Sequence, residues 1–266
     1  MTGVLKEKIE DGVAVLTLNR PERMNALSPE LVDALLEALP RLSRNAEIRC
    51  VVLTGEGRAF CAGGDVKGME MRGTQPPAPT SLETAAQNLR REMEISAWLH
   101  EMPKPTIAVI NGAAVGSGLC IALACDLRYA AEGTKFVTAF SKFGYSDDYG
   151  GVYFMTKIIG TARTREFYYL SEPISAERAN ELGLVNGLFA ADKLSEGAMM
   201  IARRLAKGPP IAYHYIKRDC NAAETHTLRE CLDMEALNHV RTGRTEDHKN
   251  AVKAAAEKRE AVFLGH

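Results

Sequence analysis

Lys104-Pro105-Thr106-Ile107-Ala108-Val109-Ile110-Asn111-Gly112-Ala113-Ala114-Val115-Gly116-Ser117-Gly118 is the stretch on which the fold turns. The apolar, β-branched run at 106–110 predicts a buried strand. Asn111-Gly112 is a turn signal. Gly116-Ser117-Gly118 then opens an apolar run, 119–124, that predicts a helix. A strand, a small-residue loop and a helix start leave backbone N–H groups free at the positive end of a helix dipole. Such groups suit anionic oxygen, whether of a phosphate or of a developing oxyanion. A nucleotide site would want a third spaced glycine or a Gly-Lys-Ser/Thr ending, and this stretch has neither. The competing reading is that the small residues only let the helix pack tightly on the strand.

A second glycine region upstream favours the anion reading. A strand predicted at 50–54 ends in Gly55-Glu56-Gly57-Arg58-Ala59-Phe60-Cys61-Ala62-Gly63-Gly64-Asp65. Further out, 4–9 and Val13–Leu18 flank Asp11-Gly12, a hairpin turn pair. Ser28-Pro29-Glu30 reads as an N-cap with proline at the first helical position, and a helix from 29 to about 43 carries Leu31, Leu35, Leu39 and Leu42 on one face. Residues 68–80, with their glycines, prolines and threonines, read as a mobile loop. One long helix is predicted over 82–100, short strands over 127–130 and Lys135–Val137, and an irregular segment over 139–149. From 152 onward the pattern is almost wholly helical, with segments at 152–159, Thr161–Leu170, 175–182, 192–207, 209–223, 226–241 and 245–259. Alternating strand and helix followed by helices alone predicts an α/β core, residues 1–200, with a C-terminal helical region, 201–266.

The chain has 266 residues, 46% of them hydrophobic, enough for one large core. A formal net charge of -1 gives no footprint for nucleic acid or an acidic membrane. The six cysteines, at 50, 61, 120, 125, 220 and 231, form no CxxC pair and no metal-ligand spacing, so they read as reduced, mostly buried thiols of a cytoplasmic protein. The N-terminus has no apolar signal core, and no run approaches the length of a membrane span.

Three motifs in order, Gly57–Asp65 as quoted above, Lys104-Pro105 through Gly116-Ser117-Gly118 to Cys125-Asp126, and Ile174-Ser175-Ala176 with Gly183-Leu184-Val185-Asn186, resemble the enoyl-CoA hydratase/isomerase (crotonase) superfamily. The resemblance runs from about residue 4 to 262. It implies a spiral of ββα units, a C-terminal helical region used for trimerisation, and a homotrimer or dimer of trimers. It also implies an acyl-CoA thioester substrate from lipid metabolism, with coenzyme A as part of the substrate and no other cofactor. The family's oxyanion hole, two backbone N–H groups on the thioester carbonyl, maps by motif onto Gly64 and Ser117. Arg23, Ala26, Ala62 and Asp65 lie where the family holds adenine and pantetheine, and Lys258 or Arg259 where a basic residue meets phosphate. Arg23 and Lys258 read equally well as solvated surface charges.

The chemistry departs from that of the hydratases. Their two glutamates map onto Cys120 and Phe140, which cannot hold and activate water. The surviving carboxylate is Asp148 in Phe143-Gly144-Tyr145-Ser146-Asp147-Asp148-Tyr149-Gly150-Gly151. The resemblance aligns it with the base of some isomerases and the nucleophile of the 4-chlorobenzoyl-CoA dehalogenases. In an apolar pocket one carboxylate can move one proton between carbons, which suits double-bond migration. The Ser-Asp-Asp sequence also fits a plain polar turn, and Asp147 competes for the role, since extended neighbours point to opposite sides. Tyr145 and Tyr149 join Cys120 and Phe140 as candidate lining of an acyl pocket, or else pack the core. The resulting expectation is an enoyl-CoA isomerase. The alternatives are an enoyl-CoA hydratase or dehydratase, an acyl-CoA hydrolase or other enolate reaction, and a non-catalytic, RNA-binding member.

Overall fold

Asp11 and Gly12 take positive φ values of 53° and 75°, the geometry of the tight hairpin turn their identities predict. They join β1 (Leu5–Glu10) to β2 (Val13–Leu18). In this computed structural model, which describes residues 3–65 and 81–266, the hairpin starts a six-stranded sheet ordered β1-β2-β3-β5-β7-β10. Its further members are β3 (Cys50–Gly55), β5 (Thr106–Ile110), β7 (Leu127–Ala131) and β10 (Gly187–Phe189), all parallel to β2. The expected loop at 68–80 lies outside the described residues.

A second sheet, β4-β6-β8-β9, consists of β4 (Ala59–Cys61), β6 (Ala113–Val115), β8 (Lys135–Val137) and β9 (Ile174–Ser175). The chain alternates between the sheets: β3, β5 and β7 enter the large one, and β4, β6 and β8 follow at once into the small one. Gly112 makes the step after β5 possible, because a Cβ there would sit 2.1 Å from the Arg58 carbonyl oxygen. Repetition of this strand–strand–helix step is the spiral of ββα units expected from the motifs.

Ser28 caps α1 (Pro29–Arg44) through its side chain, which accepts from Leu31 N. Leu31, Leu35, Leu39 and Leu42 are fully buried on one face, as their spacing requires; each buried leucine contributes roughly 2 kcal/mol of transfer free energy. The helix expected over 82–100 divides into α2 (Leu82–Glu92) and α3 (Glu94–Glu101). Met93 keeps right-handed helical angles, but Ser96 N bonds to Met93 O, three residues back, and tightens the turn there. Helix α4 (Ser117–Leu123) is buried along its whole length.

Helices α5 (Gly151–Ile159), α6 (Thr161–Leu170) and α7 (Ala176–Glu181) follow. Helix α8 (Leu194–Ala206) lays Leu194, Ala198, Ala202 and Ala206 on Val13, Cys50, Val52 and Ile107 of the large sheet. The division expected at residue 200 falls inside this helix. The remaining helices are α9 (Pro210–Ala223), α10 (Leu228–Thr242) and α11 (Glu246–Ala256). Lys217 ties α9 to the core through Asp126, 2.9 Å away, and the Leu99 carbonyl. All six cysteines are free thiols and only Cys220 is exposed. Among the described residues no helix is long and apolar enough to cross a membrane.

Candidate active site

The quoted stretch delivers β5, β6 and the start of α4 to one end of the small sheet. Gly116, at φ 51° and ψ −128°, turns the chain from strand into helix, a conformation that side chains disfavour. Ser117 is the first helical residue, so its N–H has no intrahelical acceptor. The upstream glycine loop lies against it. A Cβ on Gly63, which has φ 82°, would sit 2.7 Å from Val115 O and 3.3 Å from Ser117 N; one on Gly118 would sit 2.5 Å from Cys61 O. Leu27 N bonds to Gly63 O at 2.8 Å, and among the described residues no backbone carbonyl accepts from Gly64 N. The two glycine segments therefore meet, with two N–H groups uncommitted.

Asp148 arrives from the loop before α5. Ser117 Oγ donates to Asp148 Oδ2 at 2.7 Å, so the residue offering the helix-start N–H also grips the carboxylate. Asp148 Oδ1 is buried without a hydrogen-bond partner among the described residues, an arrangement that calls for an explanation, a catalytic role being one. Burial pushes the Asp148 carboxyl up to about 6; the Ser117 hydroxyl opposes this, and the charges of Asp147 and Glu92 reinforce it.

Asp147 has a different task. Its Oδ1 accepts from the Tyr168 hydroxyl at 2.7 Å and its Oδ2 from Val152 N at 2.8 Å, so it holds the first turn of α5. Burial raises its proton affinity as well. The neighbouring carboxylates thus serve separate partners. Cys120, one turn beyond Ser117 on α4, is buried under Gly151 and beside Tyr168, with burial pushing its thiol well up. It is a small protonated core residue with no nucleophilic character. Phe140 stacks on Tyr168, ring centroids 5.9 Å apart, and packs near Gly116. Tyr149 is buried with its hydroxyl 3.4 Å from Glu92 Oε2, whereas Tyr145 is 63% exposed.

The expected coenzyme A contacts gather only in part. Ala62 N bonds to Met24 O at 3.0 Å. Arg20 donates to the Ala26 carbonyl and pairs with Asp65 at 3.2 Å. Ala26, Ala62 and Asp65 therefore form one support under Gly64, while Arg23 is exposed on a 3-10 turn, Pro21–Arg23, beside them. Lys258 lies past α11, and no contact among the described residues joins it to this cluster. Sequence reasoning missed Arg20, Glu92, Tyr168 and the Ser117 hydroxyl; their partners are distant in the chain and no local signal marks them. A separate cavity of about 410 Å³, lined by His100, Phe154, Tyr213, Lys217, Cys220 and others, includes none of Gly64, Ser117 or Asp148.

Two interleaved sheets with a helix start facing a glycine loop define a crotonase-fold protein. Residues 8–266 match the family model for enoyl-CoA hydratase/isomerase, and the chain belongs to that family. It is 38% identical over 259 residues to 1,2-epoxyphenylacetyl-CoA isomerase of Escherichia coli K12, covering 97% of each chain. It is 33% identical to 4-chlorobenzoyl coenzyme A dehalogenase-2 of Arthrobacter sp, covering 86% of this chain and 82% of that one. The crystal structure of an enoyl-CoA hydratase from Polaromonas sp. JS666 superposes with a TM-score of 0.90 at 35% identity, covering 98% of this chain and 99% of that one. This is a family of acyl-CoA enzymes; its members named here act by different reactions.

Proposed function

We propose that the chain is an acyl-CoA double-bond isomerase with Asp148 as its single proton carrier. One observation carries the reading: Asp148 has one oxygen fixed by Ser117, the other buried with no partner among the described residues, and a carboxyl pushed up to about 6. Such a group takes and returns a proton near neutral pH. With a 3-enoyl thioester, Asp148 removes a proton from C2. The electrons move into a dienolate whose oxygen is held by Gly64 N–H and Ser117 N–H. Asp148 then returns the proton to C4, leaving a 2-enoyl thioester and the carboxylate restored. Losing one oxyanion donor typically costs about 10²–10³ in rate.

Cys120 and Phe140 leave the hydratase positions without carboxylates, so hydration is the weaker reading. The substrate would bring coenzyme A with it and no other cofactor is needed; Ala26, Ala62 and Asp65 would lie along its pantetheine and Arg23 and Lys258 near its phosphates. Leu228, Leu232, Leu237, Val240 and Val252 leave about half or more of their surface exposed on α10 and α11, which fits burial in a homotrimer or dimer of trimers. Free thiols fit a cytoplasmic enzyme.

The test is mass spectrometry of acyl-CoA products after incubation with 2-enoyl- and 3-enoyl-CoA panels in deuterated water. A moved double bond with deuterium gained supports the isomerase. Addition of one water, or release of free CoA, overturns it in favour of hydration or hydrolysis.

A further inference from the structure

The isomerase reading uses one carboxylate, yet a second reaches the same place from another element. Glu92 is the last residue of α2, which carries no buried residue of its own. Its Oε2 lies 3.4 Å from the hydroxyl of buried Tyr149, a long hydrogen bond of the kind that tightens on ligand binding. Tyr149 directly follows Asp148 and sits at φ 47°, in the left-handed region that a bulky residue adopts only when its surroundings hold it there. Gly150 continues at φ 75° into α5. The turn that presents Asp148 is thus closed from outside by Glu92.

Among the described residues, the groups facing Asp148 are few. Cys120 and Ser117 approach from α4, Cys61 from β4, Asp147 and Tyr149 from its own segment, and Glu92 from α2. Burial pushes the Cys61 thiol up to about 12 and moves Cys120 and Tyr149 upward too, so these stay neutral around neutral pH. Asp147 is committed to Tyr168 and Val152. Among the described residues, Glu92 is the charge supplied from outside the loop.

We infer that Glu92 is a positioning residue for Asp148, fixing its turn through the Tyr149 hydroxyl and setting a negative charge beside the base. This rests on Asp148 being the proton carrier. Its effect is to favour the protonated form halfway through the proton transfer, so the base both takes and releases.

The test reads Asp148 directly. Infrared titration of the protonated carboxyl band, taken as the difference between protein with Asp148 and the same protein with Asp148→Asn, isolates this residue in any oligomer. Glu92→Gln keeps the size of the side chain and an acceptor for Tyr149 while removing the charge. The expected result is a midpoint in the Glu92→Gln background displaced to lower pH, with the acid limb of kcat moving the same way and KM unchanged. Tyr149→Phe retains the charge, so its midpoint should stay near that of the parent while kcat falls. An unmoved midpoint in Glu92→Gln overturns the inference, whatever happens to stability. If the midpoint moves but the parent protein shifts no double bond, the inference stands and the isomerase reading fails.

Discussion

Ser117→Ala removes the hydroxyl that grips Asp148 and keeps the backbone N–H assigned to the thioester oxygen. Asp148 Oδ2 then loses a 2.7 Å donor, and both carboxylate oxygens are left without a partner among the described residues. A hydrogen bond to a charged group contributes about 1.5–3 kcal/mol. Asp148 is only part-buried, so solvent recovers some of that, and about 1.4 kcal/mol, roughly one pH unit, is a fair share. The carboxyl, now pushed up to about 6, would move to about 7. At pH 6 the ionised fraction falls from about one half to about one tenth, and at pH 7 from about nine tenths to about one half. Turnover should therefore drop about fivefold at pH 6, about twofold at pH 7 and hardly at all at pH 9, apart from a pH-independent loss from looser orientation. The assay is kcat and kcat/KM for 3-enoyl-CoA conversion from pH 5 to 9. An acid limb in the same place as the parent's, or one displaced downward, refutes the idea that Ser117 sets the ionisation of Asp148.

Other substitutions test the remaining parts. Asp148→Ala should cut kcat by about 10²–10⁴ and leave CoA-thioester binding nearly intact by calorimetry; near-parental turnover would remove Asp148 from the mechanism. Asp148→Asn bears on stability. The folded carboxyl sits at about 6 against an ordinary 3.8, so the folded chain holds more protons than the unfolded one between those values. The stability this confers is complete below about pH 3.8 and lost as pH rises through about 6, a difference of about 2–3 kcal/mol. Asparagine stays neutral, so Tm should rise over the parent at pH 8 and match it near pH 4; equal Tm values at both would mean that Asp148 is not desolvated. Gly118→Ala drives a Cβ to 2.5 Å from Cys61 O and 2.6 Å from Cys61 Cβ. It should part the two glycine segments and cost about 10²-fold in turnover, and full activity would deny that the segments touch. Cys120→Glu restores a hydratase residue type but places a carboxylate at a fully buried position beside Asp147. Loss of several degrees of Tm without hydratase activity is expected, and a stable, water-adding variant would show that the pocket has more room than the packing indicates.

What the sequence makes legible is what short-range physics controls. Asp11-Gly12 can be read as a hairpin because two adjacent left-handed residues have few other uses. Ser28-Pro29 marks a helix start because the cap and the fixed φ are local properties. The strand–glycine–helix stretch marks uncommitted N–H groups because those at a helix start lack an intrahelical acceptor in any context. The break at Met93 is not legible, since its angles remain helical and only a bond from Ser96 tightens the turn. Nor is the division of labour between Asp147 and Asp148. Alternation along an extended segment says they diverge, but their partners, Tyr168 and Ser117, lie 21 and 31 residues away in sequence.

The placement of Ser117 shows why the site needed tertiary structure to be read. By local rules a serine at the start of a tightly packed helix after Gly116 reads only as an acceptable small residue. In the fold its hydroxyl holds one oxygen of Asp148, and its N–H lies beside the loop that carries Gly64. Under the proposed isomerase chemistry, one residue therefore couples the place where negative charge would develop to the group that would move the proton. That coupling constrains both: a displacement of α4 relative to the loop before α5 would part Ser117 from Asp148. The ββα spiral enforces the arrangement, because β4 and β6 pair in parallel in the small sheet and deliver both glycine segments to the same end of it. A carboxylate left half-satisfied in such rigid surroundings costs stability, and under the proposed chemistry the cost falls on the oxygen that would take the proton, Asp148 Oδ1, which is buried without a partner among the described residues.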